Sequence, residues 1–324
     1  MKWLVTGGCG FIGTSLISHL IENELAKDIR VLDNLYVGSR DDLNEVADFN
    51  ELEAANISGG PDGVELMVGD IKDSEDCLIA VEGVDIIVHL AASTGVAPSV
   101  DDPRMDMEAN VIGVFNMLEA ARIKGTGRFI FASSGAPVGE VEPPIHEEKA
   151  ARPVSPYGAS KLAGEGYCSS YARTFGLKTV ALRFGNVYGP RSKHKSSVVA
   201  KFLKLAISGE PLEIYGDGDQ TRDFLYIKDL VRAILCASEV DEGGEIFQIA
   251  TQRETTVNEI TEKIKEIIEA RTDKKVVVNH GSWRQGDVKR NYSDISKASR
   301  VLGWSPQFDL LKGLEKTFEY FLSR

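Results

Sequence analysis

Between residues 3 and 183, short β-branched or apolar runs alternate with stretches of helical periodicity. The runs are Trp3–Val5, Ile29–Leu32, Val64–Val68, Ile86–Leu90, Phe129–Ala132 and Thr179–Arg183. Helical patterns cover Ile12–Asn23, Glu75–Ile79, Arg104–Ile123 and Tyr157–Phe175; in the third, Met107, Val111, Val114, Phe115 and Leu118 recur at helix spacing. Strands separated by helices imply right-handed crossovers, and such crossovers build a parallel sheet covered on both faces. An α/β fold with a doubly wound parallel sheet is therefore expected. Residues 34–63 interrupt the rhythm as an acidic, glycine-containing excursion with one predicted helix around Leu43–Leu52. Beyond residue 186 the pattern becomes mixed, with helices expected at Ser197–Ser208, Leu230–Ser238, Asn258–Arg271, Ile295–Leu302 and Asp309–Leu322. Strands are expected there at Leu212–Tyr215, Phe224–Ile227 and Lys275–Asn279. That half reads as a smaller α/β lobe.

Composition narrows the function classes. The 324 residues carry a net charge of −12, and the isoelectric point is near 5.0. Such a surface repels phosphate backbones and anionic bilayers, which argues against nucleic-acid binding and membrane docking. No apolar run approaches the ~18 residues that would span a bilayer. The opening MKWLVTGGCGFIG reads directly as strand and turn rather than as a cleavable leader. Cys9, Cys77, Cys168 and Cys236 form no CxxC pair, which suits separate reduced thiols in a cytoplasmic protein. The five histidines are equally scattered, and no metal site is expected.

Two local patterns carry chemistry. Gly7, Gly10 and Gly13 lie between a strand and a helix, where they permit a tight turn, close approach to a pyrophosphate and donation from the helix N-terminus. Glycines also serve plain turns, but Asp33 ends the next strand 20 residues after Gly13, in place to accept hydrogen bonds from a ribose. A carboxylate there repels a 2′-phosphate and favours NAD over NADP. Asp70, after the third strand, is placed to meet the adenine or simply to face solvent. The second pattern is Tyr157 and Lys161, one turn apart on a helix begun by Ser155 and Pro156. A neighbouring ammonium stabilises phenolate, so this pair can work as a base. Ser134, 23 residues upstream at a strand end, can hold the hydroxyl that Tyr157 deprotonates.

With these residues in order, the chain resembles the extended short-chain dehydrogenase/reductase family, in its nucleotide-sugar epimerase/dehydratase branch. The resemblance runs over nearly the whole length. It takes in Gly7–Gly13, Asp33, Asp70-Ile71, His89-Leu90-Ala91-Ala92, Asn110, Ser133-Ser134, Tyr157/Lys161, Leu182–Pro190, Gly216–Phe224 and Arg284-Gln285-Gly286-Asp287. It implies a Rossmann-type NAD-binding domain over 1–186, rejoined by 223–246, and a nucleotide-sugar-binding lobe over 187–222 and 247–324. It implies NAD contacts from Gly7, Gly10, Phe11, Ile12, Gly13, Asp33, Asn34, Asp70 and Ile71, then from Leu90, Ala91, Ala92, Asn110, Ser133, Tyr157, Lys161 and Phe184. Among these, Leu90–Ala92 would line the nicotinamide side and Asn110 would steady the active-site water or backbone. Substrate contacts are implied for Ser134, Tyr157, Asn186, Val198, Tyr215, Arg222, Arg284, Asp287 and Asn291. Ser134, Tyr157 and Lys161 are the implied catalytic set. A UDP-sugar substrate and a homodimer built through a four-helix bundle are implied as well. For that bundle, Val114, Phe115, Leu118, Leu162, Tyr167 and Tyr171 offer apolar surface.

The residues after Ser134 select among reactions. Similar dehydratases place Asp-Glu, and decarboxylating relatives a Glu, beside this hydroxyl; here Gly135 and Ala136 follow. The reading is therefore 4-epimerisation of a UDP-hexose, the UDP-glucose/UDP-galactose pair and its N-acetylated counterpart, through a transient 4-keto sugar. A 4-ketosugar reductase and a non-catalytic nucleotide-binding regulator are the alternatives. One departure stands out: Pro137-Val138-Gly139 replaces the family's Val-Tyr-Gly, which removes an aromatic from the sugar wall and is expected to widen the pocket.

Overall fold

The structure, a computed structural model, describes residues 1–283 and 288–324. In chain order the first half holds β1 (Trp3–Thr6), α1 (Phe11–Glu22), β2 (Ile29–Asp33), α2 (Arg40–Asn44), β3 (Asn50–Glu51), β4 (Val64–Val68), α3 (Ser74–Ala80), β5 (Ile86–His89), α4 (Val96–Asp101), α5 (Pro103–Met107), α6 (Gly113–Lys124), β6 (Arg128–Ser134), α7 (Pro156–Phe175) and β7 (Lys178–Phe184). There follow β8 (Asn186–Tyr188), α8 (Val198–Ser208), β9 (Leu212–Tyr215), β10 (Thr221–Arg222), β11 (Phe224–Tyr226), α9 (Ile227–Ser238), β12 (Glu245–Ile249), β13 (Thr255–Thr256), α10 (Val257–Arg271), β14 (Val278–Gly281), α11 (Ser296–Leu302) and α12 (Leu310–Leu322).

Eight strands form one sheet in the order β12-β7-β6-β5-β1-β2-β4-β3, and from β6 to β3 each neighbour runs parallel to the next. Helices cover both faces, so β1, β2 and β5 are buried along their whole length and, apart from Arg30 and the polar residues that end each strand, read as apolar runs. From β1 the chain moves outward through β2 and β4, then returns to β5 on the other side of β1. That reversal opens a crevice at the C-terminal ends of β1 and β5, where sheets of this type bind ligands. Leu4, Met67, Ile87, Leu118, Phe129 and Phe131 lie in the core beside it.

The chain divides into two compact units. The first comprises Met1–Glu140, Glu147–Arg183 and Val231–Phe247; the second comprises Val141–His146, Phe184–Leu230 and Gln248–Arg324. In the second unit β8 pairs with β11 and β9 with β14, both parallel, while β10 and β13 pair antiparallel. Its Asp229 fixes the chain after α11: the carboxylate accepts from Gln307 N–H and Phe308 N–H, and its carbonyl accepts from the buried Trp304 indole.

Three expectations are corrected. The helix around Leu43–Leu52 lies earlier, at Arg40–Asn44: Ser39 and Asp42 form a reciprocal capping box that fixes its start, and residues 50–51 pair with β4 instead of continuing it. The single helix over Arg104–Ile123 is interrupted by a π-helical turn at Glu108–Ile112 between α5 and α6. The extra residue shifts the helical phase, so Val114 and Leu118 enter the core while Met107 and Phe115 stay on the surface. The late strand lies at Val278–Gly281 rather than Lys275–Asn279, since Val276 N–H is taken by the Glu269 carboxylate.

Candidate active site

The glycine loop grows from β1 and turns where only glycine is comfortable. Gly7 has φ of +68°, and a Cβ there would stand 2.8 Å from Ala91 N, so the loops after β1 and β5 touch backbone to backbone. A Cβ on Gly13 would meet Gly7 O at 2.5 Å, which explains why α1 can start so close beneath the turn. Gly10 heads α1 and no side chain caps the helix, leaving its first-turn N–H groups, those of Phe11 and Ile12 included, for an anion. The Asp33 carboxylate accepts from Cys9 N–H at 2.9 Å and from Leu35 N–H at 2.9 Å. Burial pushes its pKa up and these bonds pull it back. Asn34 donates to Asp70 at 3.2 Å, joining the ends of β2 and β4 on the rim, and Ile71 is buried below them. The cradle, the uncapped helix and the carboxylate at the ribose position together fit a dinucleotide.

On the other side of the switch, Leu90 N–H donates to Thr6 O and Ala91 N–H to the Thr6 hydroxyl, which also bonds His89 Nδ1 at 2.9 Å; Ala92 continues this loop. His89 is wholly buried, and burial together with the Lys161 charge pushes its pKa down to about 3. It therefore stays neutral and is no general acid at neutral pH. Asn110, in the π-turn, is fully buried and clasps both backbone groups of Ser93; its amide also donates to Asp106 at 2.8 Å. Its role in the structure is to hold the backbone of the loop after β5.

The helix α7 begins as the sequence suggests, with the Ser155 hydroxyl accepting from Gly158 N–H and Pro156 in the first turn. Tyr157 is half-buried, bonds the Ser134 hydroxyl and also anchors its backbone N–H on Ser99 Oγ at 3.1 Å. Lys161 Nζ lies 5.9 Å from the Tyr157 ring centre, 5.0 Å from that of Phe131, and donates to Ala132 O at 2.9 Å. Burial pushes the phenol up to about 12, the Ser134 bond lowers it, and the Asp106 carboxylate raises it further. Ser134, Tyr157 and Lys161 are thus brought together at the C-terminal edge of the sheet. Ser133, implied as a cofactor contact, donates its hydroxyl to Glu165. Glu165, Arg183 and Asp106 were missed; Glu165 follows Lys161 by four residues on the same helix face, a spacing that could have flagged it. Val138 is fully buried, so its small side chain leaves no open wall of the kind expected there.

The second unit holds the remaining candidates. Phe184 closes β7 and Asn186 opens β8 with an exposed side chain, its N–H on Asp223 O. Val198 is the first residue of α8; the ring of Tyr215, at the end of β9, lies 5.5 Å from Lys201 Nζ. Arg222 donates from one guanidinium nitrogen to Thr221 O and Val288 O, both at 2.7 Å. The neighbouring Asp223 is buried, its carboxylate accepting from Thr251, Gln252 and Ser293. Asn291 is half-buried, with its N–H on the Thr221 hydroxyl. Arg284 and Asp287 lie outside the described residues. Among the described residues no cluster of His, Cys, Asp and Glu could hold a metal ion, and no helix is long and apolar enough to cross a membrane.

Comparison with known proteins agrees with this geometry. Residues 3–250 match the model of the NAD dependent epimerase/dehydratase family. A UDP-glucose 4-epimerase from Thermotoga maritima, solved with UDP-glucose, superposes with a TM-score of 0.88 at 37% identity, covering 100% of this chain and 99% of that one. The Thermus thermophilus UDP-glucose 4-epimerase in complex with NAD gives 0.86 at 34% identity, with 99% of each chain covered. A UDP-N-acetylglucosamine 4-epimerase from Methanobrevibacter ruminantium gives 0.87 at 30% identity, with 99% and 98% covered. A dinucleotide cradle and a Ser-Tyr-Lys cluster on one doubly wound sheet, matched by that family over three quarters of the length, place this chain in the NAD-dependent epimerase/dehydratase family of enzymes.

Proposed function

We propose that the protein is a UDP-hexose 4-epimerase that works with bound NAD, interconverting UDP-glucose and UDP-galactose and accepting the N-acetylated pair. The observation that carries this reading is the Ser134-Tyr157-Lys161 cluster with Gly135 and Ala136, not carboxylates, beside the serine. An acid and a base beside this hydroxyl would be needed to expel water from the sugar, and residues 135 and 136 supply neither. In the first unit, the glycine loop and Asp33 would hold the dinucleotide; in the second, Arg222 and Arg284 would grip the diphosphate with paired guanidinium forks. NAD, when bound, supplies the acceptor and later the donor of the C4 hydride.

The protein's own residues handle the proton. Ser134 holds the C4 hydroxyl oxygen and ionised Tyr157 takes its proton, leaving a flat 4-keto sugar once the hydride has also gone. Lys161 stabilises the phenolate before the step and helps it reform afterwards. The diphosphate stays gripped while the sugar turns about its linkage. Tyr157 then returns the proton to the C4 oxygen, and the product is the C4 epimer. Incubating the purified protein with UDP-glucose, UDP-N-acetylglucosamine and UDP-glucuronate, with and without added NAD, followed by NMR of the products, tests this. A 4-epimer is the expected product; a 4-keto-6-deoxy sugar, or no reaction, overturns the reading.

Asn291 supports acceptance of the N-acetylated sugar, because its small amide leaves room for an acetamido group and can bond it. Asn291→Tyr is expected to lower kcat/KM for UDP-N-acetylglucosamine at least about tenfold more than for UDP-glucose, the scale of a lost pocket contact. Equal losses on both substrates would show that residue 291 is not the gate.

A homodimer through α5–α7 remains part of this proposal, on a revised surface. Val114, Leu118 and Tyr171 belong to the first unit's own core, whereas Met107, Ile112, Phe115, Tyr167 and Phe175 stay exposed. Phe115, Tyr167, Tyr171 and Phe175 form an edge-to-face ladder along that surface. Light scattering should give twice the 35.4 kDa chain mass; a monomer at micromolar concentration refutes the dimer. The four free thiols support a reducing, cytoplasmic setting.

A further inference from the structure

The face of α7 that carries Tyr157 and Lys161 continues one turn further to Glu165. Each of these three side chains engages a different residue of β6. Tyr157 bonds Ser134, Lys161 donates to Ala132 O, and Glu165 accepts from the Ser133 hydroxyl at 2.5 Å. Arg183, on the adjacent strand β7, then grips Glu165 with a fork: Nε to one carboxylate oxygen at 2.8 Å and Nη2 to the other at 2.7 Å. Both side chains are nearly sealed from solvent, Arg183 at 3% exposure and Glu165 at 2%. The approach of helix to sheet is equally close, since a Cβ on Gly164 would stand 2.5 Å from the Phe131 ring.

Chemistry limits what this arrangement can be for. A carboxylate only accepts, so the Ser133 hydroxyl must point its proton at Glu165 and its rotamer is set. A bidentate guanidinium leaves the carboxylate no freedom to turn. An ion pair this deep is weak evidence for stability, because well-packed apolar residues would do as well; holding one arrangement is the better-supported use. Here the arrangement held is Ser133, the residue next to the strand's end at Ser134.

We propose that Glu165 and Arg183 are positioning residues for the reaction: through Ser133 they set the end of β6 so that the Ser134 hydroxyl meets the Tyr157 phenol. This rests on the reading of Tyr157 as base and Ser134 as its hydroxyl partner. Neither Glu165 nor Arg183 touches the sugar. Their effect is registered in the chemical step and not in binding.

Ser133→Ala tests this with the ion pair left in place and only one buried hydroxyl removed. Misplacing a catalytic group by a fraction of an ångström slows chemistry without loosening the substrate, so kcat should fall about tenfold or more while KM is unchanged. Ser133→Thr, which restores a hydroxyl, should recover most of that loss. A Ser133→Ala enzyme within about twofold of the parent kcat, or a Thr variant no better than Ala, overturns the proposal. A crystal structure of Ser133→Ala gives a readout that needs no turnover: the Ser134–Tyr157 hydrogen bond should be broken. If it is intact, the positioning role fails whatever reaction the enzyme catalyses; if the parent protein makes no epimer, only the reaction assignment fails.

Discussion

Tyr157→Phe should lower turnover by about 10²–10⁴-fold while leaving NAD and UDP binding nearly unchanged. The ring is half-buried and fills the same space in both proteins, so what disappears is the phenolic oxygen that bonds Ser134 and would carry the proton. The pH dependence follows from the same group. Burial pushes the phenol up to about 12 before any ligand is present, and the base form is the ionised one. Turnover limited by this base therefore rises with pH and is lost as the pH falls below the working pKa. On the proposed mechanism Lys161, whose ammonium lies 5.9 Å from the ring centre, would pull that working value down. Replacing Lys161 with Met should move the rising limb of the kcat/KM profile to higher pH. A Tyr157→Phe enzyme keeping more than about a tenth of the parent rate would remove Tyr157 from the role of base.

Arg30→Leu is expected to produce a large stability loss in the first unit. Arg30 sits on β2, directly opposite Glu65 on β4, and is almost completely buried. Its Nε donates to Glu65 at 3.0 Å, Nη1 to the carbonyls of Ala80 and Glu82, and Nη2 to the carbonyl of Gly59. One side chain thus ties two strands, the end of α3 and the acidic excursion together. Leucine would leave the buried Glu65 carboxylate without its counter-charge and three carbonyls without a donor. Breaking a buried pair in this way costs about 3–5 kcal/mol. At about 2–4 °C per kcal/mol for a unit of this size, the melting temperature should fall by roughly 6–20 °C. The double variant Arg30→Leu/Glu65→Leu should recover more than half of the loss, since an apolar pair suffers no stranded charge. A single variant melting within about 3 °C of the parent would show that the excursion is held elsewhere.

Most of the sheet was legible because its strands are covered on both faces and are therefore largely apolar, as in Ile86–Leu90 and, Arg30 apart, Ile29–Leu32. The proximity of Tyr157 and Lys161 was legible because helix geometry alone places them on one face, and Ser155 and Pro156 mark where that helix starts. What stayed hidden depends on partners distant in sequence. The Ser133 hydroxyl has nothing local to show that Glu165, 32 residues later, will take it. Val138 looked like part of a sugar wall from its place in a motif, yet packing closes over it completely. The helix at Arg40–Asn44 ends early because β4 offers residues 50–51 an edge to pair with, and no local propensity announces that.

The π-turn at Glu108–Ile112 works as a phase shifter. An α-helix turns about 100° per residue, so one surplus residue rotates everything beyond it by that angle relative to what comes before. Within the turn, Asn110 is aimed at the loop after β5 and is braced by Asp106 just ahead of it; behind the turn, Val114, Met117 and Leu118 are aimed into the core. No uninterrupted helix could satisfy both demands with these residues in this order. Length in this segment is therefore under a tighter constraint than side-chain identity. Deleting a single residue within it would restore regular winding and turn one half away from its target, whichever residue was removed.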